Sequence, residues 1–230
     1  MELIIGIDDA GRGPVIGPMI LAGVLIQKQD EENLRNLGIK DSKLVIPKKR
    51  IELADYIHKN FETHIEITNA DEIDSRTKVG TNLNRLEALK AANIIKELLK
   101  KTSKNNEQKI RVIIDCPSPN IEAWTGTVKS YLQEEHLNLI KISCEHKADF
   151  NHISVGAASI IAKNAREVEI EKLKKEIGID FGSGYSSDEV TQKFLKDNFK
   201  KLEETGIARK SWDTFKKAKA EKEQKKLSLF

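Results

Sequence analysis

The stretch ELIIGIDDAGRGPVIGPMILAGVLI, residues 2–26, contains two apolar runs separated by a segment rich in glycine and proline. Aliphatic runs bounded by such turn formers are typical of buried β-strands, so we predict a strand on each side of the turn segment. The first strand ends in two adjacent carboxylates, Asp8 and Asp9. Like charges at the end of a buried strand repel each other, and their ionisation is coupled unless a cation lies beside them.

The rest of the chain alternates strand-like and helix-like segments. Apolar runs that end at Asp115 and at Glu145 predict two further buried strands, and the alternating ETHIEIT at 62–68 predicts an exposed one. This order predicts an α/β domain with a mixed sheet covered by helices. Helices are predicted over residues 47–61, 82–101, 120–135 and 154–178, with one or two more after the turn-rich residues 180–188.

Composition limits the classes of protein to consider. The 230 residues are 39% apolar and 33% charged, so the chain can bury one substantial core and remain soluble. No apolar run approaches the roughly 20 residues of a membrane span, and no secretory signal pattern is present. We take a monomer as the default, and the two cysteines lead us to expect a reducing cytoplasm. Cys116 and Cys144 follow apolar runs and form no CxxC pair, which favours two buried free thiols over a disulfide.

Charge is unevenly distributed along the chain. The net charge is +3, but residues 214–230 carry six lysines against two glutamates. Such a run is either a solvated helix face or a contact with an acidic partner such as a phosphate backbone. We predict a main domain over residues 1–205 and a helical, basic extension over residues 206–230.

Four carboxylates are candidates for one site. Asp8 and Asp115 each end an apolar strand, Asp9 follows Asp8, and Asp149 precedes the predicted helix at 154–178. Because adjacent strand ends in α/β sheets bring side chains together, we expect these carboxylates to converge. Taken singly, each could instead form a cap or a turn. Together, oxygen ligands with no base between them favour Mg²⁺ or Mn²⁺ over Zn²⁺, and two such ions about 4 Å apart hydrolyse phosphodiesters.

The turn segment contains the tripeptide Gly11-Arg12-Gly13. Glycine leaves room for the close approach of another backbone and accepts positive φ, and the arginine between them offers a planar fork to a phosphate. An ordinary tight turn with an exposed arginine would have the same sequence.

Six segments resemble, in order, the motifs of the ribonuclease HII family, the type 2 ribonucleases H. They are GIDDAGRGPVIGP, IKDSKL, IDCPSPN, KADFNHISVGAASIIAK, GSGYSSD and RKSWDTF; these motifs lie between residues 6 and 215, and the similarity as a whole extends from about residue 2 to residue 215. Six motifs in one order are far more specific than any single motif, and the C-terminal extension resembles that of archaeal members. The resemblance implies an RNase H-like mixed sheet flanked by helices, with a C-terminal helical extension.

The resemblance also implies an activity. Members of the family cleave the RNA strand of RNA–DNA hybrids and incise duplex DNA on the 5′ side of single embedded ribonucleotides, leaving 3′-hydroxyl and 5′-phosphate ends. Asp8, Asp9, Asp115 and Asp149 match the four catalytic carboxylates, which hold two Mg²⁺ or Mn²⁺ ions.

Substrate contacts are implied by the same motifs. Gly11, Arg12 and Gly13 match the loop whose backbone contacts the ribose 2′-hydroxyl, the group that separates RNA from DNA. Tyr185 matches the tyrosine that packs on the sugar of the following deoxynucleotide. The remaining matches are cations near phosphates: Lys43 at the scissile phosphate, with Lys147, Lys163 and Arg166 as further phosphate contacts.

Two positions depart from the family pattern. Asp9 stands where the family usually has glutamate, so its carboxylate reaches one methylene less far. Since Mg²⁺ demands short, near-ideal ligand distances, we expect weaker metal binding or better activity with Mn²⁺. Ser186 stands where proline is common, and we expect it to loosen the turn without removing the role of Tyr185.

The C-terminal tail QKKLSLF places Gln224, Leu227 and Phe230 at the spacing of a sliding-clamp-binding peptide, Q-x-x-L-x-x-F. One turn of tight helix would bring Leu227 and Phe230 to one side, ready for an apolar pocket. The alternative is a frayed terminus whose apolar residues fold back on the domain.

Two other functions remain open at this stage. One is a different nuclease on the same fold, similar to ribonuclease HIII or to a resolvase. The other is a module that binds RNA–DNA hybrids without cleaving them. Four retained carboxylates argue against such a module, because uncompensated acids repel phosphates unless cations are bound.

Overall fold

The computed structural model describes residues 2–39, 45–102 and 110–227, with side chains described up to Gln224. The chain forms two compact units, each made of three segments. The first unit consists of Met1–Ala10, Ile20–Glu66 and Leu83–Ala165. The second unit consists of Gly11–Met19, Ile67–Asn82 and Arg166–Phe230.

One five-stranded sheet has the order β3-β2-β1-β4-β5. Strand β1 pairs antiparallel with β2 and parallel with β4, and β4 pairs parallel with β5. The mixed sheet predicted from the sequence is therefore confirmed, and parallel pairing joins the strands that end in aspartates. The strands are β1 Leu3–Ala10, β2 Met19–Gln27, β3 Glu62–Thr68, β4 Ile110–Asp115 and β5 Ile140–Glu145.

The described helices agree with the sequence prediction where the helix is long and differ where it is short. The helix predicted over 120–135 is two helices, and three helices rather than one or two follow residue 188. The helices are α1 Asp30–Asn36, α2 Pro47–Asn60, α3 Ala70–Lys78, α4 Leu83–Leu99, α5 Ile121–Ser130, α6 Glu134–Leu139, α7 Ala148–Asn151, α8 Ile153–Ile177, α9 Glu189–Asp197, α10 Phe199–Thr205 and α11 Asp213–Leu227.

Helices cover both faces of the central strands in the first unit. A Cβ atom added to Gly6 of β1 would lie 2.2 Å from the carbonyl carbon of Ser154, so this face of β1 lies directly against α8. A Cβ atom added to Gly23, which pairs with Ile7, would lie 2.2 Å from Ile94 of α4. Because successive side chains of a strand leave opposite faces, even-numbered residues of β1 face α8 and odd-numbered residues face α4.

The second unit has its own apolar core. Phe181 and Phe194 lie with ring centroids 5.8 Å apart, and Phe199 and Phe215 lie 5.0 Å apart. These rings pack with aliphatic residues of the 11–19 segment and of the second half of α8. Phe215 thereby attaches the first turn of α11, the basic helix, to this core.

Both cysteines are buried and free, as predicted, and burial raises the pKa of the Cys144 thiol to about 11. In the described part of the chain, no helix combines the length and apolar character that crossing a membrane requires.

Candidate active site

Parallel pairing brings two of the four candidate aspartates to one edge of the sheet. Ile7 of β1 pairs with Ile114 of β4, so Asp8 and Asp115 are the next residues on neighbouring strands. Asp8 shares the α8 face with Gly6, and Asp115 shares it with Ile113, which packs in the same core cluster as α8. Asp8 is buried and Asp115 half-buried.

A tight turn before α7 brings the third carboxylate toward this edge. The backbone N–H of Ala148 donates to Oδ1 of Asp115 at 2.6 Å, and Asp149, the next residue, is buried. Lys147 begins the turn with φ +58°. Among the described residues it is the one residue other than glycine whose φ is positive. Such a conformation costs about 1–3 kcal/mol and persists where the surroundings enforce it, as they do at functional sites.

The fourth carboxylate, Asp9, leaves β1 on the opposite face, toward α4. It borders a small pocket together with Glu87 of α4 and the indole of Trp124. Glu87 is 1% exposed, and the sequence analysis did not single it out. The pocket also reaches Asp8 and Asp115 at the sheet edge, so carboxylates approach this edge from both faces.

Burial and charge act together on Asp8. Burial raises the pKa of Asp8 well above its ordinary value, and the negative charges of Asp9 and Asp115 raise it further. The ionised form is therefore costly here without a cation, and the donors are oxygen atoms of the kind that Mg²⁺ and Mn²⁺ prefer. Throughout residues 2–39, 45–102 and 110–227, no group of three or more His, Cys, Asp or Glu side chains lies close enough together to hold an ion.

The Gly11-Arg12-Gly13 segment lies in the second unit, and its two glycines are required for different reasons. Gly11 has φ +78°, and a Cβ atom there would lie 2.2 Å from Nε of Arg166 and 2.8 Å from the carbonyl oxygen of Pro18. A Cβ atom on Gly13 would meet nothing within 4 Å. Internal packing thus explains glycine at position 11 but not at position 13, where the open side suits a ligand that approaches closely.

Tyr185 and Arg166 lie together in the second unit. The ring of Tyr185 is 39% exposed, and the guanidinium carbon of Arg166 lies 5.1 Å from its centroid. Arg166 is 7% exposed and donates to the carbonyl oxygen of Ser183 at 3.0 Å, and burial lowers its pKa. The buried guanidinium of Arg166 therefore packs against the partly exposed ring of Tyr185.

The other predicted contacts have varied positions. Lys147 is exposed, and Lys163 is half-buried on α8. Lys43 and Phe230 lie outside the described residues. Gln224 is exposed near the end of α11, which includes the backbone of Leu227. The turn that contains Ser186 is closed by a hydrogen bond from the N–H of Asp188 to the carbonyl oxygen of Tyr185 at 3.1 Å.

Comparisons with known proteins agree with the motif resemblance. The model of the family Ribonuclease HII matches residues 5–215. Ribonuclease HII of Methanococcus aeolicus is 43% identical over 226 residues, which cover 94% of this chain and 81% of that protein. The ribonuclease H2 of Pyrococcus horikoshii OT3 superposes with a TM-score of 0.79 at 33% identity, covering 95% of this chain and 98% of its own. The PCNA:RNase HII complex from Archaeoglobus fulgidus contains a chain with a TM-score of 0.78 at 36% identity, with coverages of 92% and 95%.

Replacing Asp8 by asparagine tests the electrostatic cost of the site. Burial raises the pKa of Asp8 in the folded state, so its cost to stability is absent below the ordinary pKa, grows as pH rises from the ordinary pKa towards the raised one, and is constant above that. In EDTA at pH 7, Asp8→Asn should therefore raise the thermal midpoint by about 3 °C, and the gain should vanish in acid.

Titration with Mn²⁺ completes this test, because the ion should raise the midpoint of the native protein more than that of Asp8→Asn. If Mn²⁺ raises both thermal midpoints equally, or if Asp8→Asn has the lower midpoint in EDTA, the charge of Asp8 does not destabilise the protein.

Proposed function

Because this chain belongs to the ribonuclease HII family and is a type 2 ribonuclease H, we propose that it hydrolyses the RNA strand of RNA–DNA hybrids and incises duplex DNA 5′ of single ribonucleotides. The products would carry 3′-hydroxyl and 5′-phosphate ends. The observation that carries the proposal is the pairing of β1 with β4, which places Asp8 beside Asp115 at one sheet edge. Carboxylates so placed suit metal-assisted hydrolysis of a phosphodiester.

We propose that Asp8, Asp9, Asp115 and Asp149 together hold two Mg²⁺ or Mn²⁺ ions. Bound there, the ions supply an activated water and neutralise charge on the departing 3′-oxygen. Asp8 contributes a buried carboxylate whose pKa is raised by burial and by the charges of Asp9 and Asp115, and a bound cation would favour its ionised form. The N–H of Ala148 orients Asp115, since it donates to one of the two carboxylate oxygens.

The Gly11-Arg12-Gly13 backbone is proposed to contact the ribose 2′-hydroxyl. The open space around Gly13 supports this, because a nucleotide can approach the backbone there. Tyr185 is proposed to pack on the sugar of the following deoxynucleotide, and its exposed ring above Arg166 is available for that contact. The 2′-hydroxyl is the group that distinguishes the ribonucleotide from its neighbours.

Phosphate contacts are proposed for the three lysines Lys43, Lys147 and Lys163. Lys147 is exposed beside Asp149 in the chain and suits this role, and Lys163 shares α8 with Arg166. Arg166 is so deeply buried that support of Tyr185 accounts for its position better than a direct phosphate contact. The role of Lys43 depends on the DSK motif alone.

The C-terminal tail is proposed to bind a sliding clamp. The related protein from Archaeoglobus fulgidus was solved in complex with PCNA, which supports such a partner. Gln224, the first residue of the Q-x-x-L-x-x-F pattern, is exposed near the end of α11. The contributions of Leu227 and Phe230 are inferred from their spacing. The monomeric state, the cytoplasmic location and the domain boundary at residue 205 likewise stay predictions.

Mapping the products from a DNA duplex with one embedded ribonucleotide tests the proposed reaction. With Mg²⁺ or Mn²⁺, the native protein should cut immediately 5′ of the ribonucleotide. Asp115→Asn should lose at least about 100-fold in rate, because it removes a ligand charge from the site. Asp9→Glu, assayed with each metal, shows whether the shorter aspartate sets the metal preference.

The matched control is Asp55→Asn, the same substitution at an exposed position of α2, which should cut at the native rate. Cleavage elsewhere in the duplex, or undiminished cleavage by Asp115→Asn, would contradict the proposal.

The two glycines of the loop give a paired prediction. Gly11→Ala should destabilise the protein, because positive φ alone costs about 1–2 kcal/mol with a Cβ atom and Arg166 leaves no room. Gly13→Ala should fold with a native thermal midpoint yet lose about tenfold or more in incision rate, because the methyl group displaces the ribose. A native incision rate for Gly13→Ala would contradict the proposed contact between this loop and the ribose.

Deleting residues 224–230 should abolish binding to a sliding clamp and spare incision of short duplexes. Surface plasmon resonance with immobilised clamp measures the first property, and the mapping assay measures the second. Lys225→Ala, which leaves the three pattern residues in place, serves as the control. Unchanged clamp binding after the deletion would end the hypothesis.

A further inference from the structure

Arg209 is fully buried in the second unit, and its guanidinium holds the loop that contains Gly11, Arg12 and Gly17. Nη1 donates to the carbonyl oxygen of Arg12 at 2.6 Å, and Nη2 donates to that of Gly11 at 2.5 Å. Nε and Nη2 donate to the carbonyl oxygen of Gly17 at 3.2 Å and 3.1 Å. A buried charge is tolerated only when hydrogen bonds satisfy it, so three loop carbonyls are drawn to one group.

These bonds also determine where the N–H groups of the loop point. In a trans peptide the C=O and the following N–H point in opposite directions, and the described residues contain no cis peptide. Since Arg209 binds the carbonyl of Gly11, the N–H of Arg12 points away from the guanidinium. Since it also binds the carbonyl of Arg12, the N–H of Gly13 points away as well. Two successive N–H groups therefore face the side opposite Arg209.

We propose that Arg209 is a positioning residue that presents the N–H groups of Arg12 and Gly13 to the ribose 2′-hydroxyl. The inference rests on the proposed function, because it assigns the device that aims this loop. Hydrogen bonding of the two carbonyls to a cation polarises the same peptide units and strengthens their N–H groups as donors. Arg209 thus sets the selectivity for ribose without touching the substrate.

Arg209 is itself held firmly from two sides. Its backbone N–H donates to the carbonyl oxygen of Val15 at 2.8 Å, and its guanidinium carbon lies 5.0 Å from the ring centroid of Trp212. Asp74 of α3, which is buried, accepts hydrogen bonds from the backbone N–H groups of Lys210 at 2.7 Å and Ser211 at 3.0 Å. The guanidinium is therefore anchored before substrate arrives, as precise positioning requires.

The same loop segment also supports Tyr185. The N–H groups of Val15 and Ile16 donate to the carbonyl oxygen of Gly184 at 2.9 Å and 3.2 Å. Gly184 immediately precedes Tyr185, so the tyrosine and the two presented N–H groups are attached to one hydrogen-bonded framework. Displacing the loop would therefore disturb both contacts proposed for the ribose junction.

Arg209→Lys tests the role of the guanidinium. Lysine keeps the positive charge but cannot reach three carbonyls with a planar fork, so the loop loses its orientation. The measurement is the KM for a duplex with one ribonucleotide, compared with the inhibition constant of the same duplex made entirely of DNA. We expect KM to rise about tenfold while the inhibition constant for all-DNA duplex stays unchanged. Arg111→Lys, the same substitution at a half-exposed ion pair with Glu2, should change neither constant.

The outcomes separate this inference from the proposed function. A native protein that does not prefer the ribonucleotide duplex overturns the proposed function. A native protein that prefers it, with a folded Arg209→Lys variant that keeps the preference, overturns only the role of Arg209. If KM for the ribonucleotide duplex and the inhibition constant of the all-DNA duplex rise equally, Arg209 has only a structural role.

A measurement on the native protein keeps the inference testable if Arg209→Lys does not fold. In ¹H–¹⁵N spectra, adding a ribonucleotide duplex should shift the amide signals of Arg12 and Gly13 more than adding the all-DNA duplex. Equal shifts with both duplexes would contradict the proposed orientation of these N–H groups.

Discussion

Repulsion between buried carboxylates at one edge of the sheet is the constraint on which the rest of this structure depends. Parallel pairing of β1 with β4 places Asp8 beside Asp115, and burial raises the pKa of Asp8 well above its ordinary value. A fold selected only for stability would avoid this arrangement, because it keeps charge where solvation is poor. The left-handed Lys147 adds a second local cost beside the same edge. Unfavourable features of this kind persist where binding of a cation and a substrate offsets their free-energy cost.

The residues proposed for catalysis and those proposed for ribose recognition belong to different units of the chain. The first unit contains the carboxylates that are proposed to act on a phosphodiester through bound cations. The second unit contributes the loop at Gly11–Gly13 and the exposed ring of Tyr185, which suit recognition of a sugar rather than reaction with it. The buried guanidinium of Arg209 donates hydrogen bonds to the carbonyl oxygens of Gly11 and Arg12 in that loop. If the proposed contact holds, selectivity for ribose over deoxyribose depends on the direction of the loop backbone.

Sequence patterns predicted the strand ends well, because an apolar run that stops at an aspartate marks the end of a buried strand clearly. They failed where a polar residue is buried. Glu87 was missed because only a three-to-four spacing of apolar residues was followed along α4, whereas the helix buries a broader face that includes this glutamate. Arg209 sits in a polar segment that resembles a solvated turn, and charged residues are seldom fully buried. The short helices α1 and α3 bury so few apolar residues that their periodicity is weak.

Anomalous diffraction from crystals of the native protein soaked in Mn²⁺ tests the central claim, that a divalent cation relieves the repulsion at the sheet edge. The account predicts a manganese peak about 2.1 Å from carboxylate oxygens of both Asp8 and Asp115, with Asp9 or Asp149 completing the ligands. A peak that contacts neither Asp8 nor Asp115, or no peak at saturating Mn²⁺, would contradict it.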